Sequence, residues 1–169
     1  VYATHGLGPV AQALDIHRGD RMKTLVAMDT KSVAGKALVE ERTGAGCDNF
    51  RNGDHTTTLI RTENGKVIEI QHNVMTPQPY NRLYQLTGTK GFANKYPVEG
   101  YALDAKQLTA SGMEPKVDDL SSHSFLPKDE MNALVEKYQH PILKKYGEMA
   151  KEVGGHGGCL LYTSPSPRD

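Results

Sequence analysis

A chain of 169 residues has the size of one domain and is long enough to bury a core if it folds as one unit. Twenty Lys and Arg balance twenty Asp and Glu, so no net field draws it to nucleic acid or an anionic membrane surface, whereas neutral carbohydrate suits the balance. No apolar run approaches the roughly 20 residues of a membrane span, no basic-then-apolar start resembles a signal peptide, and Cys47 and Cys159 lack the spacing of a disulfide framework or a metal site.

Leu7, Val10, Ala11 and Leu14 recur at i, i+3, i+4 and i+7, which predicts a short helix with one buried face. Proline is tolerated in a first helical turn, so Pro9 places the N-cap near residues 4–6 and His5 at the helix entrance. Gly19-Asp20 is expected to stop this helix, residues 22–28 to form a strand, and residues 33–41 a second helix ended by Gly44 and Gly46. Thr57-Thr58-Leu59-Ile60-Arg61 and Val67-Ile68-Glu69-Ile70-Gln71 flank Asn64-Gly65, which predicts a hairpin whose two central residues take positive φ. On its second strand Ile68, Ile70 and His72 share one face, expected to pack on helices. Glu69, Gln71 and Asn73 share the other, polar enough to line a site or to join a second copy of the chain.

Residues 75–79 read as a proline-containing loop leading to Tyr80, residues 82–87 as a strand, Gly88-Thr89-Lys90-Gly91 as a turn, and residues 101–124 as irregular. Pro127 begins a helix with Asp129 and Glu130 in its first turn and Met131, Leu134, Val135 and Tyr138 on one face. Pro141 restarts it, and Ile142, Tyr146, Met149 and Val153 continue an apolar stripe until Gly154-Gly155. Strands grouped between helices, without regular βα alternation, predict an α+β fold with helices on one face of a largely antiparallel sheet. Residues 159–169 resemble translated adapter read-through and are set apart from residues 1–158 as an artefactual tail.

Three positions invite a chemical reading. A histidine at a helix N-terminus meets partial positive charge that disfavours imidazolium, and a neutral imidazole both accepts and donates protons. His5 therefore stands as an acid/base candidate or as a helix-start residue bonded to a nearby carbonyl. Tyr80, stiffened by Pro77 and Pro79, stands as a phenol facing a sugar or as a half-buried cap on the core. His156 lies among four glycines that permit close approach to a ligand but equally make an ordinary helix exit. His55 and His72 read as sheet residues, and Lys144, Lys145, Lys151 and Glu152 as a solvated helix face. No carboxylate pair of the kind a conventional glycosidase needs accompanies these motifs.

The order of several separated motifs resembles glycoside hydrolase family 109, within the Gfo/Idh/MocA oxidoreductase group. These are Tyr2-Ala3-Thr4-His5-Gly6-Leu7-Gly8-Pro9 with Arg18-Gly19-Asp20-Arg21-Met22, Pro79-Tyr80-Asn81-Arg82, Gly88-Thr89-Lys90-Gly91 and Gly154-Gly155-His156-Gly157-Gly158. The resemblance, over residues 1–158, implies an incomplete substrate-binding C-terminal domain of Gfo/Idh/MocA type whose N-terminal Rossmann domain lies upstream, because no glycine-rich dinucleotide fingerprint is present. It implies an α-N-acetylgalactosaminidase with NAD as cofactor: sugar C3 gives up hydride, the acidified C2 proton is lost, the aglycone is eliminated, water adds and the hydride returns. It also implies that Tyr2, Ala3, Thr4, His5 and Tyr80 contact substrate, with His5 as the acid/base group, and it allows a bacterial exported or periplasmic setting. The residues that hold NAD are not among those present, and the chain alone is expected to be inactive. Two rivals remain open: a sugar dehydrogenase of the same group, and a carbohydrate-binding or oligomerisation module.

Overall fold

The structure is a computed structural model that describes residues 3–73 and 75–153. The chain divides into two compact units, Val1–Pro79 and Tyr80–Asp169. Mixed helices and antiparallel sheets give the α+β class, with the strands distributed over two three-stranded sheets.

In unit 1, helix α1 spans Ala3–Ala13, strand β1 Met22–Asp29, helix α2 Ala34–Thr43, strand β2 His55–Thr62 and strand β3 Val67–Asn73. The sheet runs β1-β2-β3, antiparallel throughout. Leu25, Ile60 and Ile68 lie abreast on one face; Ile60 and Ile68 are buried with Ile16, whereas Leu25, on the edge strand, is exposed. Helix α1 lies against β3.

Several expectations for this unit need correction. Pro9 falls inside α1, because the helix begins at Ala3, so His5 sits within the first turn rather than at the cap. Ring closure at Pro9 removes an N–H that an interior helical position would aim at the carbonyl of His5, the usual cost of such a proline. Asp15, not Gly19, turns the chain out of α1: its φ is 58°, the left-handed conformation in which helices commonly end. The Asn64-Gly65 hairpin also differs from the two-residue form. Only Gly65 has positive φ (81°), Gly65 N donates to Thr62 O at 3.1 Å, and Thr62 N donates to Lys66 O at 2.9 Å. This is a type I turn closed by a left-handed glycine, a three-residue loop that leaves Asn64 in an ordinary conformation. His55 pairs with Asn73 and His72 with Thr56, so the two histidines occupy opposite faces of the hairpin.

Unit 2 contains strands β4 (Gln85–Gly88), β5 (Gly91–Asn94) and β6 (Gly100–Ala102), then helices α3 (Ala105–Ala110), α4 (Lys128–Tyr138) and α5 (Pro141–Val153). Its sheet runs β4-β5-β6, antiparallel, and Gly88 pairs with Gly91 across the expected turn. The strand expected from residue 82 begins only at Gln85. Residues expected to be irregular contain β6 and α3. Helix α3 is too short to show periodicity, but Asp104 caps it by accepting from Gln107 N at 2.8 Å, and this Asp-x-x-Gln signature is legible in the sequence.

Among the described residues of unit 2, Ala102, Leu108, Leu126 and Ala150 are the buried apolar ones, with Leu108 wholly enclosed. Helix α4 departs from its expected amphipathic face: Val135 and Tyr138 are exposed, while Glu130 is buried with its Oε1 accepting from Lys116 N. The apolar stripe of α5 is likewise open at Ile142 and Met149. Gly154 to Gly158, with His156, and residues 159–169 lie outside the described residues.

Candidate functional site

The helix that carries His5 is fixed from its C-terminal end. The last carbonyls of a helix point outward with partial negative charge, and cations there satisfy both the hydrogen-bonding need and the dipole. Arg18 Nη2 donates to Gln12 O at 3.1 Å, and Lys66 Nζ donates to Leu14 O at 2.7 Å while lying 3.3 Å from Asp20 Oδ2. Asp20 completes the clamp by accepting from Arg21 N at 2.8 Å and Asn64 N at 3.1 Å. Burial pushes the Asp20 carboxyl up, but the donors Asn64 N–H, Thr62 hydroxyl, Arg21 N–H and Lys66 ammonium outweigh it and bring the pKa down to about 2. Glu63, bonded to Lys23 and Arg21 at 3.1 Å each, is held below the usual range chiefly by Lys23. The hairpin turn is thereby tied to the segment that follows α1.

A second carboxylate orders the other helix of unit 1. Val33, at the N-cap position of α2, has no side chain able to accept, and Asp54 supplies the missing acceptor from outside the helix. Its oxygens accept from the N–H groups of Val33 (2.9 Å), Ala34 (2.8 Å) and Gly35 (2.9 Å), and these three bonds, led by Gly35, lower its pKa against the effect of burial.

Tyr2 lies outside the described residues. Ala3 and Thr4 contribute their backbone to the first turn of α1, and His5, in the same turn, is exposed. Tyr80 opens unit 2 with 72% of its surface exposed, so the reading of this ring as a half-buried cap on the core is set aside. Arg82 places its guanidinium carbon 5.5 Å from the Tyr80 centroid, a cation–π arrangement that steadies an otherwise open phenol. Arg82 was present in the Pro-Tyr-Asn-Arg motif without a role. Its i, i+2 spacing from Tyr80 in a segment without helix is the signal that puts both side chains on one side. His5 belongs to unit 1 and Tyr80 to unit 2.

The loop before Tyr80 is tethered at its start. Asn73 Oδ1 accepts from Thr76 N at 3.2 Å, and Gln78 Nε2 donates to Asn73 O at 3.0 Å. His55 Nε2 lies 3.2 Å from Thr57 Oγ1, in keeping with a sheet residue. Among the described residues no group of three or more His, Cys, Asp or Glu could hold a metal ion, and no helix is long and apolar enough to cross a membrane.

Comparison with known proteins adds what this geometry lacks. Residues 1–163 match the model of the glycosyl hydrolase 109 C-terminal domain. Over 158 residues, 94% of the chain, it is 87% identical to glycosyl hydrolase family 109 protein 5 and 85% identical to protein 4, both of Phocaeicola vulgatus, covering 30% and 31% of those proteins. Over the same length it is 56% identical to glycosyl hydrolase family 109 protein 1 of Bacteroides thetaiotaomicron, covering 34% of it. The chain therefore spans about a third of the length of the curated relatives it matches.

Proposed function

The chain belongs to the glycosyl hydrolase 109 family through its C-terminal domain, and from that premise we propose that it is the substrate-handling part of an NAD-dependent glycosidase acting on α-linked N-acetylgalactosamine. The observation that carries this reading is the family match over residues 1–163, a span that includes the Tyr2-to-His5 segment and the Tyr80 loop. An exposed imidazole in a first helical turn and an exposed phenol steadied by Arg82 are side chains suited to sugar hydroxyls and to proton transfer.

NAD, in this reading, is bound by sequence outside this domain: among the described residues no glycine-rich turn joins a strand to a helix as a dinucleotide requires. Bound there, it would supply reversible removal of hydride from a sugar carbon. The part proposed for this chain is narrower. His5 holds and returns a proton, the backbone of Ala3 and Thr4 presents it, and Tyr2 and Tyr80 orient the sugar. The chain by itself gives no turnover.

The experiment is a chimera in which residues 1–158 replace the matching region of the Phocaeicola vulgatus protein 5. With NAD, it should release N-acetylgalactosamine from an α-linked chromogenic glycoside, and His5→Ala should lower kcat/KM by at least about 100-fold, the scale of a positioned acid/base group. Full activity in His5→Ala would remove this residue from the chemistry. Net NADH formation with free sugar, without glycoside cleavage, would select the dehydrogenase reading.

One observation favours an additional role for the first sheet. Its outer face carries Val26, Met28, Leu59 and Val67, between 48% and 76% exposed, beside Glu69 and Gln71, so it is more apolar than the polar triad of β3 suggests. This face, in our reading, joins a second copy of the chain. Met28→Lys should then shift sedimentation of the chimera to the monomer.

A further inference from the structure

Unit 2 contains a cavity of about 490 Å³ beside the β4–β5 turn, and none of its lining residues is among those carried over from the family motif for substrate contact. Its architecture starts with two glycines. A side chain at Gly91 would meet Leu103 Cδ2 at 2.5 Å, so this strand end stays bare and the turn closes tightly over Leu103. A side chain at Gly100 would meet the Phe125 ring at 2.6 Å, so only glycine lets that ring lie directly on the backbone of β6. Leu126 N donates to Tyr101 O at 2.8 Å, fastening the residue after Phe125 to the same strand. Phe92 lies at a centroid distance of 6.1 Å and an angle of 44° from Phe125. Phe125 nevertheless remains 46% exposed. It is a fixed aromatic ring with one part on the core and one part open to the cavity.

Around that ring stand Thr89, Lys90, Gln107, His123 and Ser124. Hydroxyls, an amide and an imidazole donate and accept in equal measure. The Lys90 ammonium is balanced by Asp104, which also lines the cavity, so no surplus charge selects an anion. A flat apolar ring framed by groups of both hydrogen-bonding senses fits a ligand with one apolar face and a rim of hydroxyls. We propose that this cavity is a saccharide subsite that stacks a neutral pyranose on Phe125 and bonds its hydroxyls through Thr89, Gln107, His123 and Ser124. The proposal rests on the reading of this domain as carbohydrate-handling, and adds a place where a glycan is held.

The test is a titration of the ¹⁵N-labelled 169-residue chain with methyl α-N-acetylgalactosaminide, followed by amide shifts. Saturable shifts at Thr89, Lys90, Ser124 and Phe125 are expected, with a Kd on the order of 1 mM for one stacked ring. Phe125→Ala should abolish them. Since that change also alters packing over Gly100, the exposed His123→Ala provides the check: it should raise Kd at least threefold while the chain keeps its spectrum and melting temperature. Absence of saturable shifts at these amides, or an unchanged Kd in both variants, overturns the subsite. Shifts confined to the neighbourhood of Tyr80 overturn it equally. A chimera without glycosidase activity leaves this binding result standing, and loss of binding with full turnover removes the subsite alone, so the two readings fail separately.

Discussion

Unit 1 places three carboxylates where each collects bonds from two or more donors: Asp20 from the hairpin turn and Lys66, Asp54 from the start of α2, and Glu63 from Arg21 and Lys23. All three have lowered pKa values. Unit 2 closes its smaller sheet around Leu108, Leu126 and Ala102, and its buried carboxylate, Glu130, accepts from Lys116 N through Oε1 while its Oε2 has no hydrogen-bond partner. The comparison teaches that unit 1, whose β1 is exposed on both faces, adds directed, charge-assisted bonds to a small core of Ile16, Ile60 and Ile68, whereas the strands of three or four residues in unit 2 rest on Leu108, Leu126 and Ala102.

That contrast can be broken experimentally. Leu108→Ala removes the wholly enclosed side chain of unit 2 and should destabilise it by about 2–5 kcal/mol, read by hydrogen exchange at the β5 and β6 amides. Amides of β2 and β3 should keep their protection; equal loss in both places would show one cooperative unit where two are drawn. Glu130→Ala should cost about 1–3 kcal/mol by leaving Lys116 N–H without its acceptor, with the first exchange increase at residues 113–127. In unit 1, Gly65→Ala forces a Cβ into a residue at φ 81° and should cost about 1 kcal/mol, measured from denaturant midpoints.

The effect smallest near neutrality sharpens the comparison most. Asp20, Asp54 and Glu63 have folded-state pKa values below those of the unfolded chain, so their stabilisation is complete above the ordinary carboxylate range, near pH 4, and is lost as pH falls through the folded values, about 2 for Asp20. Between about pH 4 and 2, unit 1 should lose exchange protection faster than unit 2, and Asp54→Asn should flatten part of that slope at α2. Parallel loss in both units would sink the contrast.

Much of the architecture was legible because it rests on local rules. The β2–β3 hairpin follows from two β-rich runs and a glycine that accepts positive φ, and the β4–β5 turn from Gly88 to Gly91. The usual preference of proline for a first turn puts the start of α1 too late, and the six residues of α3 are too few to show a period although Asp104 marks their cap. The Tyr80 and His5 motifs were legible as residue types. Arg82 over the Tyr80 ring and the exposure of that ring were not, since both depend on how the segment folds.

By itself the sequence determined the α+β class, the places of the two hairpin turns, and the family motifs, since these depend on neighbours a few residues apart, whereas the β2–β3 register followed from the three-residue loop that only the structure shows. Tertiary structure decided which distant groups meet: Asp54 with the start of α2 some twenty residues earlier, Lys66 with the end of α1, and Phe125 with the bare backbone of Gly100. Such meetings depend on long-range packing, which burial and hydrogen-bond satisfaction select together and which no local pattern encodes.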